Sequence, residues 1–535
     1  MESNRLFSIL DTRASRSGNT PRRLRRRVLC SLVLGMMLIS PRNSFGQQPS
    51  SSTQEVPAQQ LFDQFVGGTL TNCFFKYGPT GADPLNNRAF PDFNAVYWAA
   101  TYVRPKGAKV EMLGVYPFSR FMSFISYDKL GLFVDGVADY MIDPDPGSTN
   151  TYRQGALRYD TPESKRSYTV EVRFAEKPAD IPLVQNAGQP PRNFMYSLPS
   201  KNQWLDPKTG EPVETILYRI YVPDRGMDYA GGMPVPTVKV TLADGNVLSG
   251  QEACAALRSD PKSPDEVFTP ELSALVMPPA QWQALARPSG IPNTFPARYP
   301  ADWRGAYDPA YNKDGFSLSP KDYQADSSLP TPPKFGGSYY PNVFNTYTRT
   351  FINRNLGRVV VIRFKPWTTV KTYNHDPIFN DTGDMRFWSI SLSESQATTR
   401  VVSGVFDEQF PVNKDGYITF VASNEKDRPK YATPECGVAW ANWKDTGDGV
   451  GNSSFGWLSI RNMLPKPDAA HTNFDLQRPG DEQKVLAEHY PQLKYFKDAA
   501  AFDAYGCGGI GSQAAMQGIP TKGSHDAVGW PYKVQ

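Results

Sequence analysis

The residues most suited to chemistry in this 535-residue chain lie in one loop of its second half. His375 is the first of only four histidines, and it is followed by Asp376, Asp381 and Asp384. A histidine beside a carboxylate can act as a general base, and with further carboxylates it can bind a metal ion. The pattern predicts His375, Asp376 and Asp384 as catalytic residues of a hydrolase or lyase. A solvated loop of turns accounts for the same residues.

Aromatic and cationic residues surround this loop. They are Trp367, Tyr373, Arg386 and Trp388. Tyrosine and tryptophan rings stack on flat ligands, and a guanidinium group binds carboxylates through two hydrogen bonds. The four residues therefore predict a binding site for a small molecule or a glycan.

Arg386 has a second interpretation, in which it stabilises the fold. Arg120 and Arg219 in the first half stand at the positions that Arg386 and Arg461 occupy in the second. A feature repeated in both halves indicates an ion pair belonging to the fold, with a carboxylate such as Asp128 or Glu394 as the partner.

A cluster of oxygen-bearing side chains in residues 143–150 resembles a calcium loop. Asp143 and Asp145 are the predicted metal ligands. The segment lacks the bidentate glutamate and the spacing of an EF-hand, and a tight Asx-turn accounts for it equally well. No other cofactor is predicted.

Several familiar motifs are excluded. Residues 506–511 fit G-x-G-x-x-G but follow no strand and open no helix, so they do not form a dinucleotide site. If Asp407 and Glu408 lie on a strand, their carboxylates point to opposite faces and cannot alone form a glycosidase pair. The chain has no H-E-x-x-H, C-x-x-C or P-loop sequence.

The elements that must position these residues are strands, and the pattern of strands occurs twice. Three pairs of blocks match in the same order: 102–128 with 351–394, 168–178 with 417–429, and 217–223 with 459–465. The blocks alternate in polarity and are bounded by Gly, Pro, Asp or Asn, which is typical of strands. We predict two tandem jelly-roll-like antiparallel β-sandwich units, residues 61–258 and 335–470, with a few short helices.

The two copies differ most in one connection. Three positions separate Pro117 from Arg120, whereas twenty separate Pro366 from Arg386. Residues 367–385 are therefore an insertion, which we expect at one end of the second sandwich, where functional groups tend to collect.

The N-terminus has the features of a signal peptide. Five arginines in residues 22–27 precede the apolar run 28–39, which is too short to span a bilayer, and Ser44 and Gly46 fit a cleavage site. We predict a signal peptide over 1–46 and a disordered tether over 47–60; an uncleaved anchor is the alternative. The protein is thus expected to be periplasmic or secreted, with no stable membrane span after cleavage.

The number of cysteines and the net charge of the chain after the leader are consistent with an exported protein. Four cysteines follow the leader, and we favour the pairs Cys73 with Cys254 and Cys436 with Cys507, since each closes within one half; four free thiols are the alternative. Nine arginines lie in residues 1–46, so the remaining chain is slightly acidic. No basic patch remains for nucleic acid.

The segments outside the two units have their own features. Residues 259–334 are rich in proline and aromatic residues, so we expect this connector to pack on the sandwiches. Short helices are predicted near 279–287 and 484–488. We predict that residues 471–535 form a C-terminal helix and a Gly-rich tail.

Residues 134–139, 143–150, 218–226, 407–409 and 461–465 resemble a family of exported bacterial hypothetical proteins. The Phe387-Trp388-Ser389 strand is similar to one in β-sandwich domains of unknown function. The resemblance implies fold and export and carries no catalytic assignment. Three functions follow as hypotheses: an extracytoplasmic ligand- or glycan-binding protein, a hydrolase or lyase of an extracellular polymer acting through residues 367–385, and a structural envelope-interaction protein.

Overall fold

The computed structural model describes residues 70–82, 85–181, 187–258, 277–287, 293–307, 311–312, 326–332, 340–509 and 512–517. These residues belong to one compact unit. The predicted signal peptide and tether lie outside the described residues.

Two five-stranded sheets form the first half. The strands are β1 (Tyr77–Gly81), β2 (Ala95–Val103), β3 (Lys109–Val115), β4 (Ser119–Tyr127), β5 (Phe133–Ala138), β6 (Ser167–Glu176), β7 (Phe194–Leu198), β8 (Val213–Pro223), β9 (Thr237–Thr241) and β10 (Val247–Ser249). Their orders are β1-β2-β8-β4-β5 and β10-β9-β3-β6-β7.

The second half has a five-stranded and a four-stranded sheet. Its strands are β11 (Arg304–Gly305), β12 (Asn345–Asn353), β13 (Val359–Phe364), β14 (Met385–Ser393), β15 (Val401–Phe406), β16 (Ile418–Ser423), β17 (Ala439–Asn442), β18 (Phe455–Pro465) and β19 (Gln492–Phe496). The orders β11-β12-β18-β14-β15 and β17-β16-β13-β19 match those of the first half strand for strand, except that β10 has no counterpart. β11 and β19 lie outside residues 335–470.

Two of the four sheets are mixed, and the other two are purely antiparallel. β6 pairs with β7, and β16 with β17, in parallel, whereas the other pairs of strands are antiparallel. The parallel pair is possible because a long connection separates its strands in each half.

Helices in the described residues are short. The α-helices span Gly250–Ala256, Pro279–Ala286, Glu482–Leu486, Ala499–Asp503 and Gly506–Gly509. The 3-10 helices span Asp139–Met141, Glu163–Lys165, Asp407–Gln409, Glu425–Asp427, Pro434–Cys436, Asn473–Asp475, Ala487–His489 and Gln513–Met516. The helices predicted near 279–287 and 484–488 are present. No helix in the described part of the chain has the length and apolar character needed to cross a membrane.

Each pair of sheets encloses an apolar core, which confirms the mainly β sandwich fold. In the first half, Phe124 of β4 contacts Tyr168 of β6 with ring centroids 6.1 Å apart. In the second, Trp388 of β14 contacts Phe364 of β13 at 5.5 Å. Burial of these large aromatic side chains supplies much of the driving force for folding.

The two halves also pack against each other. Every residue of β4 and of β14 is buried, because one face of each strand lies in its own sandwich and the other face meets the opposite half. Tyr221 of β8 contacts Phe387 at 5.6 Å, and Phe121 contacts Phe344 at 5.8 Å. The contact between the halves is therefore a second apolar core.

The disulfides and the connector stabilise this arrangement. Disulfides join Cys73 to Cys254 and Cys436 to Cys507, the pairing that the sequence favours. In the described part of the connector, Trp282 and Trp303 are fully buried. Trp282 contacts Phe455 of β18 at 5.2 Å, so this part packs on the second sandwich.

Candidate functional site

The insertion between Pro366 and Arg386 reaches across to the first half. The backbone N–H of Gly155 donates to the carbonyl of Phe379 at 2.9 Å, and that of Arg158 donates to the carbonyl of Pro377 at 2.8 Å. Phe379 itself is buried. Backbone hydrogen bonds of the kind found between neighbouring strands thus hold the insertion against the first half.

His375 belongs to a hydrogen-bonded chain of three side chains. Its Nδ1 lies 2.8 Å from the hydroxyl of Tyr159, and the same hydroxyl donates to Asp224. Arg158 donates to both oxygens of Asp224, at 2.7 and 2.6 Å. The backbone of His375 has a φ of 67°, a left-handed conformation uncommon for a residue with a side chain.

This hydrogen-bonded chain favours one tautomer of the His375 ring. Burial, followed by the nearby Asp224 carboxylate, raises the pKa of Tyr159, so its hydroxyl stays protonated and donates to Asp224. The tyrosine oxygen can then accept a hydrogen bond from Nδ1–H of His375. In the neutral imidazole this leaves Nε2 as the proton acceptor, on an exposed side chain.

The two aspartates predicted to work with His375 lie outside this chain. The carbonyl of Asp376 accepts from Arg158 at 3.3 Å. The Asp384 carboxylate accepts from the backbone and the hydroxyl of Thr368, both at 2.8 Å, and so closes the base of the loop. Their predicted catalytic roles stay predictions. The sequence gives no sign of Tyr159 or Asp224, because Tyr159 and His375 are 216 positions apart.

The predicted ligand-binding residues lie in different environments. Trp367 and Trp388 are 3% and 1% exposed, and both belong to the core of the second sandwich. Tyr373 is half-buried and lines a cavity of about 250 Å³ with Phe93 and Tyr229. Of the four, Arg386 borders a cavity of about 500 Å³ and Tyr373 the one of about 250 Å³, and the binding role of all four stays a prediction.

Ion pairs across the two halves explain Arg120 and Arg386, two of the repeated arginines. Arg120 contacts Asp407 at 2.9 Å, and Arg386 contacts Asp139 at 3.0 Å. Asp139 and Asp407 each begin a 3-10 helix after β5 and β15. The architectural interpretation is therefore correct for Arg120 and Arg386, but the suggested partners Asp128 and Glu394 are wrong, because these two arginines pair with aspartates of the opposite half.

A cavity of about 500 Å³ lies where the insertion meets the first half. The polar residues that line it include Tyr140, Arg153, Gln154, Asp381, Arg386 and Lys466. The wall also contains Tyr152, Ala187, Pro191 and Pro467, so apolar surface borders the charged groups.

The charges in this cavity are unequal. Three cations face one carboxylate, and Arg386 already contacts that carboxylate, Asp381, at 3.1 Å. Arg153 contacts Asp143 at 2.6 Å, whereas Lys466 makes no ion pair in the described part of the chain. Arg386 is fully buried, and its Nε has no hydrogen-bond partner. Because Asp139 also pairs with Arg386 and Asp143 with Arg153, Lys466 is the lining cation that has no carboxylate partner among the described residues.

The predicted calcium residues contribute to local structure. Asp143 pairs with Arg153, and its backbone N–H donates to Asn193 at 2.8 Å. The carbonyl of Asp145 accepts from Ser148 at 2.9 Å, as in a tight turn. No group of three or more His, Cys, Asp or Glu side chains suited to a metal ion occurs among the described residues. Calcium binding stays a prediction.

Comparison with known proteins gives structural neighbours alone. No family model and no curated protein matches the chain. The fold is similar to that of an uncharacterised protein from Burkholderia cenocepacia, with 13% identity, a TM-score of 0.39, and 78% of this chain and 79% of that chain covered. It is also similar to a structural-genomics target from Vibrio parahaemolyticus, with 10% identity, a TM-score of 0.33, and 77% and 92% covered.

Proposed function

We propose that this protein is an exported binding protein that takes a small organic anion into the 500 Å³ cavity between its halves. The observation that carries the proposal is Lys466, a cation of the cavity wall that has no carboxylate partner among the described residues. The volume lies within the range of about 300–1,000 Å³ that is usual for small-molecule sites.

The wall suits an anion with an apolar or ring-shaped body. Lys466 and Arg153 offer donors for a carboxylate, while Tyr140 and the prolines offer flat apolar surface. Gln154 accepts from the backbone of Asp381 at 2.7 Å and so holds the edge of the insertion in place. An acidic sugar or an aromatic carboxylate fits these features better than a neutral glycan does.

Titration calorimetry with hexuronic acids, aromatic carboxylates and matched neutral sugars tests the proposal. We expect an acid to bind and Lys466→Met to weaken its binding by roughly tenfold, which corresponds to about 1.4 kcal/mol. Lys106→Met is the matched control, because Lys106 is exposed and far from the cavity wall. Binding that is unchanged in Lys466→Met, or that prefers neutral sugars, would refute the proposal.

We infer further that the chain is exported and that its two halves are duplicated units. Export is supported by the leader sequence and by two disulfides, which persist in oxidising compartments. Duplication is supported by the matching strand orders and the repeated sequence blocks. N-terminal sequencing of the periplasmic protein should give a chain that begins at Gln47; an intact leader would contradict this.

A second candidate function is hydrolysis with His375 as general base. The supporting observation is the chain from Asp224 through Tyr159, which holds Nδ1 of the exposed His375 side chain. Against a panel of polymer and ester substrates, His375→Ala should abolish activity, and Tyr159→Phe should lower kcat. His471→Ala, at another exposed histidine, is the control. Equal activity in all variants would refute this function.

A further inference from the structure

The interface between the halves contains a buried polar cluster centred on Asp92. Its carboxylate accepts from the hydroxyl of Ser389 at 2.6 Å and pairs with Arg461 at 3.2 Å. Asp92 is completely buried. The cluster is electrically balanced, since one carboxylate faces one guanidinium group.

The equivalent place in the other half is occupied by Ser123, Arg219 and Asn342. Ser389 lies opposite Arg461 in the pairing of β14 with β18, and Ser123 lies opposite Arg219 in the pairing of β4 with β8. Asn342 stands three residues before β12, as Asp92 stands three residues before β2.

Local hydrogen bonds confirm that Asn342 is the counterpart of Asp92. Oδ1 of Asp92 accepts from the backbone of Asn94 at 2.8 Å, and Oδ1 of Asn342 accepts from that of Phe344 at 3.1 Å. Both residues therefore form the same Asx-turn. The other terminal atom of the side chain differs between the two residues. In Asp92 it is the oxygen Oδ2, which accepts hydrogen bonds, whereas in Asn342 it is the nitrogen Nδ2, which donates them.

This difference leaves three buried polar atoms without partners. Nδ2 of Asn342, Oγ of Ser123 and Nη1 of Arg219 make no hydrogen bond. Their residues are 3%, 0% and 1% exposed. A buried polar group without a partner costs about 1–3 kcal/mol, so three at one place require an explanation.

The charge of Arg219 is also unbalanced. Its Nη2 donates to the hydroxyl of Tyr127 and, at 2.7 Å, to the carbonyl of Tyr340, which are both neutral acceptors. It forms no ion pair within the described residues, unlike Arg120, Arg386 and Arg461. A buried cation without a counter-ion is strongly unfavourable.

We propose that Arg219, Ser123 and Asn342 bind a small monovalent anion, for which chloride is the simplest candidate. The anion would stand where the second carboxylate oxygen of an aspartate would be, and it would accept from all three donors. One negative charge would balance the guanidinium group. This site is separate from the cavity lined by Lys466, and its role is to stabilise the contact between the halves.

Chloride titration of the full mature protein at constant ionic strength tests the site. We expect the Tm of the wild type to rise with chloride and to saturate. Asn342→Asp supplies the missing carboxylate while keeping the bond from Phe344, so its Tm should exceed that of the wild type at low chloride and lose the saturable rise. Asn246→Asp, at an exposed hairpin residue, is the control and should behave as the wild type does.

A bromide soak of wild-type crystals gives a readout that does not depend on a variant. An anomalous peak within hydrogen-bonding distance of Nη1 of Arg219 would support the proposal. Absence of both the peak and the saturable rise would overturn it and would indicate that the three groups bind water. A lower Tm for Asn342→Asp at low chloride would also overturn it.

Discussion

Nη1 of Arg120 lies 2.9 Å from both carboxylate oxygens of Asp407, although the two residues are 287 positions apart. The pair has a counterpart in which Arg386 contacts Asp139 at 3.0 Å. Each aspartate also accepts from the backbone of its own half, Asp139 from Met122 at 2.8 Å and Asp407 from Trp388 at 3.1 Å. Two reciprocal ion pairs therefore join β4 and β14 to the opposite halves.

Replacing Arg120 with methionine should destabilise the protein severely. The change leaves the buried carboxylates of Asp407 and Glu408 without their cation. Breaking a buried pair in this way typically costs about 3–5 kcal/mol. Urea unfolding of Arg120→Met should show this loss. Arg386→Met should lose a similar amount, whereas Asp160→Asn, at an exposed residue, should change the free energy of unfolding very little. A loss below about 1 kcal/mol for Arg120→Met would contradict the assigned role.

Sequence patterns predicted the strands but not the packing of the second half on their outer faces. The alternation from Arg120 to Asp128 indicates one apolar face, yet every residue of β4 is buried because the second half covers the other face. That covering arises from packing between distant segments, which local periodicity does not encode. For the same reason Trp367 and Trp388 suggested a binding surface but lie in the core.

The candidate site was only partly predictable for the same physical reason. His375 was identified from its rarity and its position in an insertion. Its partners Tyr159 and Asp224 lie in the other half and carry no motif. The disulfides were easier to predict, because four cysteines divided between two halves favour one pairing.

The stability of the protein should fall as pH rises from about 4.5 to about 7, in part because of Glu482. Burial raises its pKa from 4.5 to about 7, against the opposing hydrogen bonds from Gly305 and Gly480. In this window the folded protein holds a proton that the unfolded chain releases, so raising the pH favours unfolding. The contribution is on the order of 3 kcal/mol across the window.

Glu482→Gln removes this titration, so its free energy of unfolding should depend less on pH between 4.5 and 7 than that of the wild type. The slope is the informative quantity, because the amide also loses one acceptor and so shifts the absolute stability. Glu163→Gln, at an exposed glutamate, serves as the control. Parallel profiles for wild type and Glu482→Gln would show that Glu482 ionises normally in the folded protein.

Both disulfides should contribute strongly to stability, and the longer loop should contribute more. Cys73–Cys254 closes a sequence separation of 181 and Cys436–Cys507 one of 71. Each disulfide lowers the conformational entropy of the unfolded chain, which should stabilise the folded protein by roughly 4–5 kcal/mol per bridge. The two contributions should differ by about 0.8 kcal/mol. Denaturation of the two double Cys→Ala variants should reproduce this order. A larger loss for the Cys436–Cys507 pair would mean that local packing around it outweighs chain entropy.

Gly404 on β15 lies at a close contact between the two halves. A Cβ at this position would lie 2.6 Å from Cβ of Phe93 in the first half and 3.2 Å from the carbonyl of Ile390. Neither is the free end of a flexible side chain, so Gly404→Ala must displace backbone. Overpacking of this kind costs about 1–3 kcal/mol.

Gly508→Ala is the matched control, since a Cβ on Gly508 meets no atom within 4 Å. Urea denaturation of both variants should show a loss for Gly404→Ala alone. Because the clash joins β15 to Phe93, Gly404→Ala should also make the boundary between the halves more accessible to protease than Gly508→Ala does. Equal stability and equal protease resistance for the two variants would mean that the halves can separate at this contact without cost.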